Sequence, residues 1–357
     1  MKKFRQKIGK KFAKNFLKNK IEKMEIREIS GKILQQFFDN FRGEKTFLQS
    51  EKFGIFREKC GEKILKFGIF ENEKIVGAAQ IQKIETRFKK FLHVPHGPLI
   101  SAENWEIATE KFLDFLVNFG REKNCDFVRI SPLFSENKKK IFIKKKWRDA
   151  AVHLVNPEKT LVLNLEKSTD EILRQMRKST RYEIRRAEKC GIEIARGRDK
   201  KNLEIFWELH RQTFLRQKFV PFPKKNTEIE LEIFGENAEI FSAKIDGKFF
   251  SSAIILFDKN AGYYHQGASI YSKLPAAHAA IWAAILAAKS RGCREFNFWG
   301  ICEKEKKNHP WAGLSKFKRG FGGTEKNFLH AQDFPLKKAK FAANFLLEKF
   351  RKWKRNY

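Results

Sequence analysis

The run "KFGIFENEKIVGAAQIQ" at residues 66–82 reads as two strands joined by a tight turn at Glu71-Asn72-Glu73. "KKFLHVPHGPLI" at 89–100 reads as a third strand. "NWEIATEKFLDFLVNFGREKNC" at 104–125 spaces its apolar residues as a helix does, and "DFVRIS" at 126–131 is a short strand. The order is strand, strand, strand, helix, strand. Residues 240–301 run through the same order: "IFSAKI", the turn Asp246-Gly247, "KFFSSAIILF", "AGYYHQGAS", the helix "PAAHAAIWAAILAAKSRG" and "REFNFWGI". Even the hairpins correspond, Glu73-Lys74-Ile75-Val76 against Gly247-Lys248-Phe249-Phe250. Two copies of one unit are the simplest account.

The repeated order resembles GNAT acyltransferases, so the expected class is α/β with mixed sheets, as two tandem GNAT-like domains. A chain of 357 residues is long enough for two cores. The expected bounds are a basic amphipathic extension at 1–23, domain one at 24–165, domain two at 166–335 and a basic, aromatic helix at 336–357. Packing of that last helix on the first domain is favoured over a place on a membrane. Between the copies, 168–194 reads as one helical region that opens with a capping box, Ser168 and Glu171, and closes at Gly191. In the extension, ten Lys or Arg against one Glu accompany Phe4, Ile8, Phe12 and Phe16, which suits a membrane interface. A solvated tail, or a true start at Met24, explains the same residues.

The charge narrows the partners. Lys plus Arg number 75 against 42 Asp plus Glu, a net +33, and such a field attracts polyanions: RNA, DNA, anionic lipid or phosphorylated metabolites. A Lys-rich proteome would give the same excess. Cys60, Cys125, Cys190, Cys293 and Cys302 are odd in number and lack C-x-x-C spacing, so neither a disulfide framework nor a zinc site is indicated. With no apolar run of membrane-spanning length and no signal-peptide core, the expected location is the cytoplasm, with contact at the inner membrane face.

"FLQSEKFG", "VPHGPLI", "KSTRYEIRRAEKCGIEI", "YYHQGAS", "FNFWGI" and "GLSKFKRGFGG" resemble, in this order, blocks of the FemABX peptidyltransferases, from about Met24 to Leu336. The resemblance implies transfer of an amino acid from aminoacyl-tRNA to the stem peptide of a peptidoglycan precursor, UDP-linked or lipid-linked, in a groove between the two domains. The long coiled-coil insertion of glycine-adding members is absent between Gly191 and Asn202, which favours the compact, FemX-like members. A monomer is the expected state, with aminoacyl-tRNA, the precursor and an anionic membrane surface as partners.

An aminoacyl ester is already activated, so aminolysis needs a positioned amine and a stabilised oxyanion rather than a covalent intermediate. No G-x-S-x-G, Cys/His signature or H-E-x-x-H occurs, in keeping with that. By resemblance, Lys318 is the catalytic cation and Phe317 shapes the site. Arg57 aligns with a basic residue that holds the precursor's diphosphate, and Arg suits phosphate because its planar fork bonds two oxygens. An Arg of similar role falls near Phe222, leaving Lys224 and Lys225 as candidates for the second phosphate. A precursor-contacting Tyr falls at Gln266, with Tyr264 two residues away. Arg216, Tyr264 and Ser269 are further substrate-binding candidates. Arg177, Arg181 and Arg185, within a run of cations from Arg174 to Lys189, are candidates for tRNA phosphates. His93, His96 and His265 have no metal-ligand spacing, and neither a metal nor a cofactor is expected. The rivals are a CoA-dependent N-acyltransferase, which would want a Gly-rich pyrophosphate loop before its helix, and a non-enzymatic nucleic-acid or membrane-binding protein.

Overall fold

The computed structural model describes residues 24–151, 156–217, 221, 223–306 and 308–354. The extension at 1–23 and Phe222 lie outside the described residues.

In chain order the first elements are β1 (Met24–Glu28), α1 (Gly31–Asn40), α2 (Glu51–Lys59), β2 (Lys63–Glu71), β3 (Lys74–Glu85), β4 (Lys90–Pro95), β5 (Leu99–Ile100), α3 (Trp105–Glu122), β6 (Phe127–Ser131), α4 (Lys139–Lys144) and β7 (Arg148–Asp149). Next come β8 (Lys159–Asn164), α5 (Thr169–Gln175), α6 (Lys178–Lys189), β9 (Glu193–Gly197), α7 (Lys200–Gln217), α8 (Lys224–Phe234), β10 (Ala238–Ile245), β11 (Lys248–Phe257), β12 (Ala261–Ser269), α9 (Ala276–Ser290), β13 (Glu295–Gly300), α10 (Ala312–Gly320) and β14 (Thr324–Asn327). The chain ends its described part with β15 (Gln332–Pro335) and α11 (Lys338–Lys354).

Two sheets result. One runs β1-β2-β3-β4-β6-β15-β7, with β5 paired to β3; the other runs β14-β8-β13-β12-β11-β10-β9. Each has an antiparallel meander, a helical crossover and a parallel pair, β4 with β6 in the first and β12 with β13 in the second. The mixed α/β class and the repeat are therefore present as read. Both hairpins turn on two left-handed residues, Asn72 (φ 46°) with Glu73 (φ 64°), and Asp246 (φ 47°) with Gly247 (φ 75°). Turns of this hand match the strand twist, so the two hairpins superimpose in register although only one has a glycine.

Among the described residues the compact units are 24–158 with 328–354, and 159–327. The expected boundaries at 165 and 335 are thus displaced. β8 pairs with β13 and β14 in the second sheet, whereas β15 pairs with β6 in the first, so strand pairing draws residues 159–165 forward and 328–335 back. Helix α11 packs on the first unit through Phe341, whose ring meets that of Phe127 edge-on at 5.7 Å.

Two further expectations change. The capping box forms, with Ser168 and Glu171 bonding each other's backbone N–H. Yet the helix it opens stops at Gln175, because Met176 is extended (ψ 152°) and the Arg177 N–H donates to Gly320 O at 2.8 Å instead of continuing the spiral. The cations from Arg174 to Lys189 accordingly belong to two helices rather than one side of one. The third strand is also two: β4 pairs with the far end of β3, and after the turn at His96-Gly97 β5 pairs back to Gly77 and Ala78.

Candidate active site

The parallel strands of the two units differ in how far they stay joined. In the first unit β4 and β6 hold register over five residues, Phe91 to Pro95, and His96 N then donates to Ser131 O at 2.8 Å. In the second unit β12 and β13 pair only from Ala261 to Tyr263. Beyond that point β13 bulges: Trp299 is left-handed (φ 64°), and its N–H turns back to Asn297 Oδ1 at 2.8 Å. A bulky residue rarely takes that conformation, and the distortion frees the Gly300 carbonyl from the ladder on this side.

Lys318 fills the split. It lies on α10, three residues from fully buried Ser315, and is itself only 4% exposed. Its Nζ donates to Gly300 O at 2.8 Å and stands 5.4 Å from the centre of the Tyr264 ring. Among the described residues no carboxylate pairs with it. Burial alone pulls its pKa from the ordinary lysine value to about 7. Its neighbours are differently employed: Lys316 is exposed, while Arg319 donates to Glu325 at 2.7 Å and to Cys302 O at 2.6 Å. The glycines that follow are steric requirements, since a Cβ on Gly322 would come within 2.8 Å of Gln175 O and one on Gly323 within 2.6 Å of Val162 O.

Phe317 points elsewhere. Its ring meets His278 edge-on at 5.0 Å in a cleft of about 260 Å³ that also takes in Arg177, Ser179, Thr180 and Lys316. Burial lowers the His278 pKa, so this wall is a neutral aromatic one. The cleft opens at the N-terminus of α6, where unpaired N–H groups favour negative charge. Phe317 and Arg177 therefore share a cavity that Lys318 does not line.

A model of the FemAB family matches residues 29–255 and 248–349. The chain belongs to the FemAB family. In general terms that makes it a peptidoglycan-related aminoacyltransferase. The FemAB chain shares its fold with FemX: the crystal structure superposes with a TM-score of 0.79 at 17% identity, covering 89% of this chain and 99% of that one. L-PGS from Bacillus licheniformis gives a TM-score of 0.55 at 13% identity over 90% of this chain and 97% of its own. A tandem GNAT protein from the clavulanic acid biosynthesis pathway gives 0.55 at 7% identity over 87% and 98%. The fold is thus two tandem GNAT-like domains. No curated protein sequence matches closely enough to name as a relative.

The other candidates of this FemAB chain fall into separate groups. Arg216 Nη2 donates to Ser269 O at 2.9 Å, and Thr213 Oγ1 accepts the Ser269 N–H at 2.9 Å, so α7 and the end of β12 hold those residues together. Gln266 reaches Glu230 Oε2 at 3.3 Å on α8. Tyr264 and Gln266, two apart in sequence, would share a face of a regular strand; instead Ile255 and Ile254, adjacent on β11, are their partners, with His265 the extra residue of a bulge. The bulge sends Tyr264 toward Lys318 and Gln266 to the opposite face. Burial pushes the Tyr264 hydroxyl up to about 12, which keeps it neutral.

Several cations have local partners. Arg57, on α2 in the first unit, grips Glu62 with two nitrogens, Nε at 2.9 Å. Lys224 pairs with Glu204. Arg181 donates to the carbonyls of Met176 and Arg174 that close α5. Arg177 and Arg185 are exposed. Sequence reasoning named Arg177 but passed over His278 and Lys316, because the cleft that joins all three depends on the helix break at Met176.

Proposed function

We propose that this protein moves an amino acid from aminoacyl-tRNA to the stem-peptide amine of a peptidoglycan precursor, with Lys318 as the catalytic group. The carrying observation is a lysine amine buried in the split of β12 and β13, donating to Gly300 O at 2.8 Å and, among the described residues, paired with no carboxylate; burial lowers its pKa to about 7. Such an amine is neutral before reaction at slightly alkaline pH and can accept a proton. As the stem-peptide nitrogen attacks the ester carbonyl, the C–N bond forms and the nitrogen's proton passes to Nζ. The resulting ammonium faces the oxyanion formed in the same step, so its charge acts mainly in the transition state. Collapse breaks the ester C–O bond, and the proton leaves with the tRNA hydroxyl. Atoms and charge balance without a covalent enzyme intermediate.

The cleft of Arg177, Lys316, Phe317 and His278 suits the 3′ end of the donor: cations and a helix N-terminus for phosphate, aromatic rings for a base. Against a CoA donor, the segment Ile270–Pro275 before α9 has no glycine to bring backbone N–H groups against a pyrophosphate. Transfer of radiolabel from aminoacyl-tRNA to UDP-linked and lipid-linked precursor, beside acetyl-CoA turnover, tests the reading. Acetyl transfer without aminoacyl transfer would overturn it.

Two expected results follow from the positions of the arginines. If tRNA is held by phosphates, log K should fall with log salt at a slope of roughly −0.7 to −0.9 per phosphate neutralised. Arg177→Ala and Arg185→Ala should flatten that slope. Arg181→Ala should instead lower thermal stability, because its guanidinium closes α5. A salt-insensitive affinity would remove RNA from the account. Arg57→Ala should raise KM for the precursor and change kcat much less, the pattern of a ground-state contact. Unchanged KM would leave Arg57 as the partner of Glu62 and nothing more.

A further inference from the structure

Helix α11 has two apolar faces, and only one is used. The inner face carries Phe341, against Phe127, and Glu348, whose carboxylate meets Arg129 at 2.8 Å and Lys89 at 3.1 Å. About half a turn away, Ala342, Leu346, Phe350 and Trp353 follow one another at spacings of four, four and three, which is a single helical stripe. Leu346 is 66% exposed, Phe350 55% and Trp353 74%. Beside the stripe lies an apolar groove of about 520 Å³, floored by Phe334, Pro335, Phe345 and Leu346 and rimmed by Lys146, Arg148 and Lys338. Soluble surfaces seldom leave so much contiguous apolar area uncovered.

The charges identify the occupant. By helical geometry Lys338 and Lys349 border the stripe on one side, and Arg351 and Lys354 on the other. Glu348 is the sole acidic residue of α11, and it is buried against Arg129. The outward surface is therefore apolar at its centre and cationic at both margins. A second copy of the chain packed here would set these cations against their own equivalents. Anionic lipid headgroups would neutralise them, with the long basic side chains reaching up from beside the apolar stripe and Trp353 at headgroup depth. We propose that the outer face of α11 and its groove dock the protein on a membrane surface rich in anionic phospholipid, without crossing it. Among the described residues no helix is long and apolar enough to do so.

The test is cosedimentation of the full chain with vesicles of phosphatidylcholine alone and of phosphatidylcholine with phosphatidylglycerol. Retention should need phosphatidylglycerol and weaken with salt. The triple variant Leu346→Ser, Phe350→Ser, Trp353→Ser should fall toward the level on phosphatidylcholine alone, while melting as the parent does and keeping transfer to a UDP-linked precursor. Trp emission should shift to the blue on anionic vesicles, and Trp353→Phe should remove that shift. If the triple variant is retained as well as the parent, the helix is not the contact and the proposal fails. Equal retention on both vesicles, or a concentration-dependent dimer that the triple variant abolishes, would overturn it too. Loss of aminoacyl transfer in the parent chain would bear on the proposed reaction alone.

Discussion

Lys318→Met should lower kcat by about 100- to 1000-fold, the scale of losing one oxyanion donor, and leave the KM of donor and acceptor nearly unchanged. In the proposed mechanism the charge on Nζ appears with the transition state rather than with either substrate. The pH profile carries a second signature. The free enzyme must start with a neutral amine, so kcat/KM should rise with pH through about 7, and that limb should vanish in the variant. A limb from the substrate amine would persist in both. Stability gives the control. The folded-state pKa lies below the unfolded lysine value, so between about 7 and the ordinary value the unfolded chain binds the proton and the folded one does not. That contribution makes the parent lose stability as pH falls across this window. Lys318→Met lacks it and should melt no earlier than the parent at neutral pH. A variant with near-normal kcat would end the catalytic assignment, and one that melts far earlier would make the lysine structural.

Arg129→Met should cost the first unit about 3 to 5 kcal/mol, because it strands two buried carboxylates. Arg129 is 4% exposed and bonds Asp333 through Nε at 2.7 Å and Nη2 at 2.8 Å, and Glu348 through Nη2 at 2.8 Å. Burial works against its charge, and the hydrogen bonds to Asp333 and Glu348 outweigh this and raise its pKa. The three residues come from β6, β15 and α11, so one guanidinium ties the last strand and last helix to the sheet. Urea unfolding followed by a probe in the first unit measures the loss. A change below about 1 kcal/mol, the size of an exposed pair, would mean that water reaches the cluster.

Local chemistry explains what could be read from the residues. Asn72-Glu73 and Asp246-Gly247 sit between alternating apolar runs, and each hairpin is settled within a dozen residues. Ser168 and Glu171 cap a helix through contacts three residues apart. What escaped depends on distant partners. The break at Met176 follows from a bond to Gly320, and β15 is four residues made a strand by β6 and β7, both more than 180 positions earlier. In the site, the Phe-Lys block pointed to Lys318, but its burial and depressed pKa come from the bulge at Trp299 and the split strands, which no spacing of residues announces. Arg57 and Arg181 show the converse: a phosphate-like Arg in sequence has a carboxylate or a helix end already in its grip.

The second unit is an insertion within the first, and this sets an order of events during synthesis. Every residue of the second sheet leaves the ribosome before β15 exists. Until then the edge of β6 that pairs with β15 has no partner, and an unpaired strand edge is a template for another chain. When the end arrives, Phe328 N donates to Glu158 O at 2.7 Å, and Ala331 N donates to Glu158 Oε1 at 2.7 Å, beside the point where the chain first departed. A nascent chain stalled after Asn327 would therefore hold a finished second sheet and a first sheet that can recruit a stranger's strand. The segment 328–354 closes that edge only after the whole second sheet has been made.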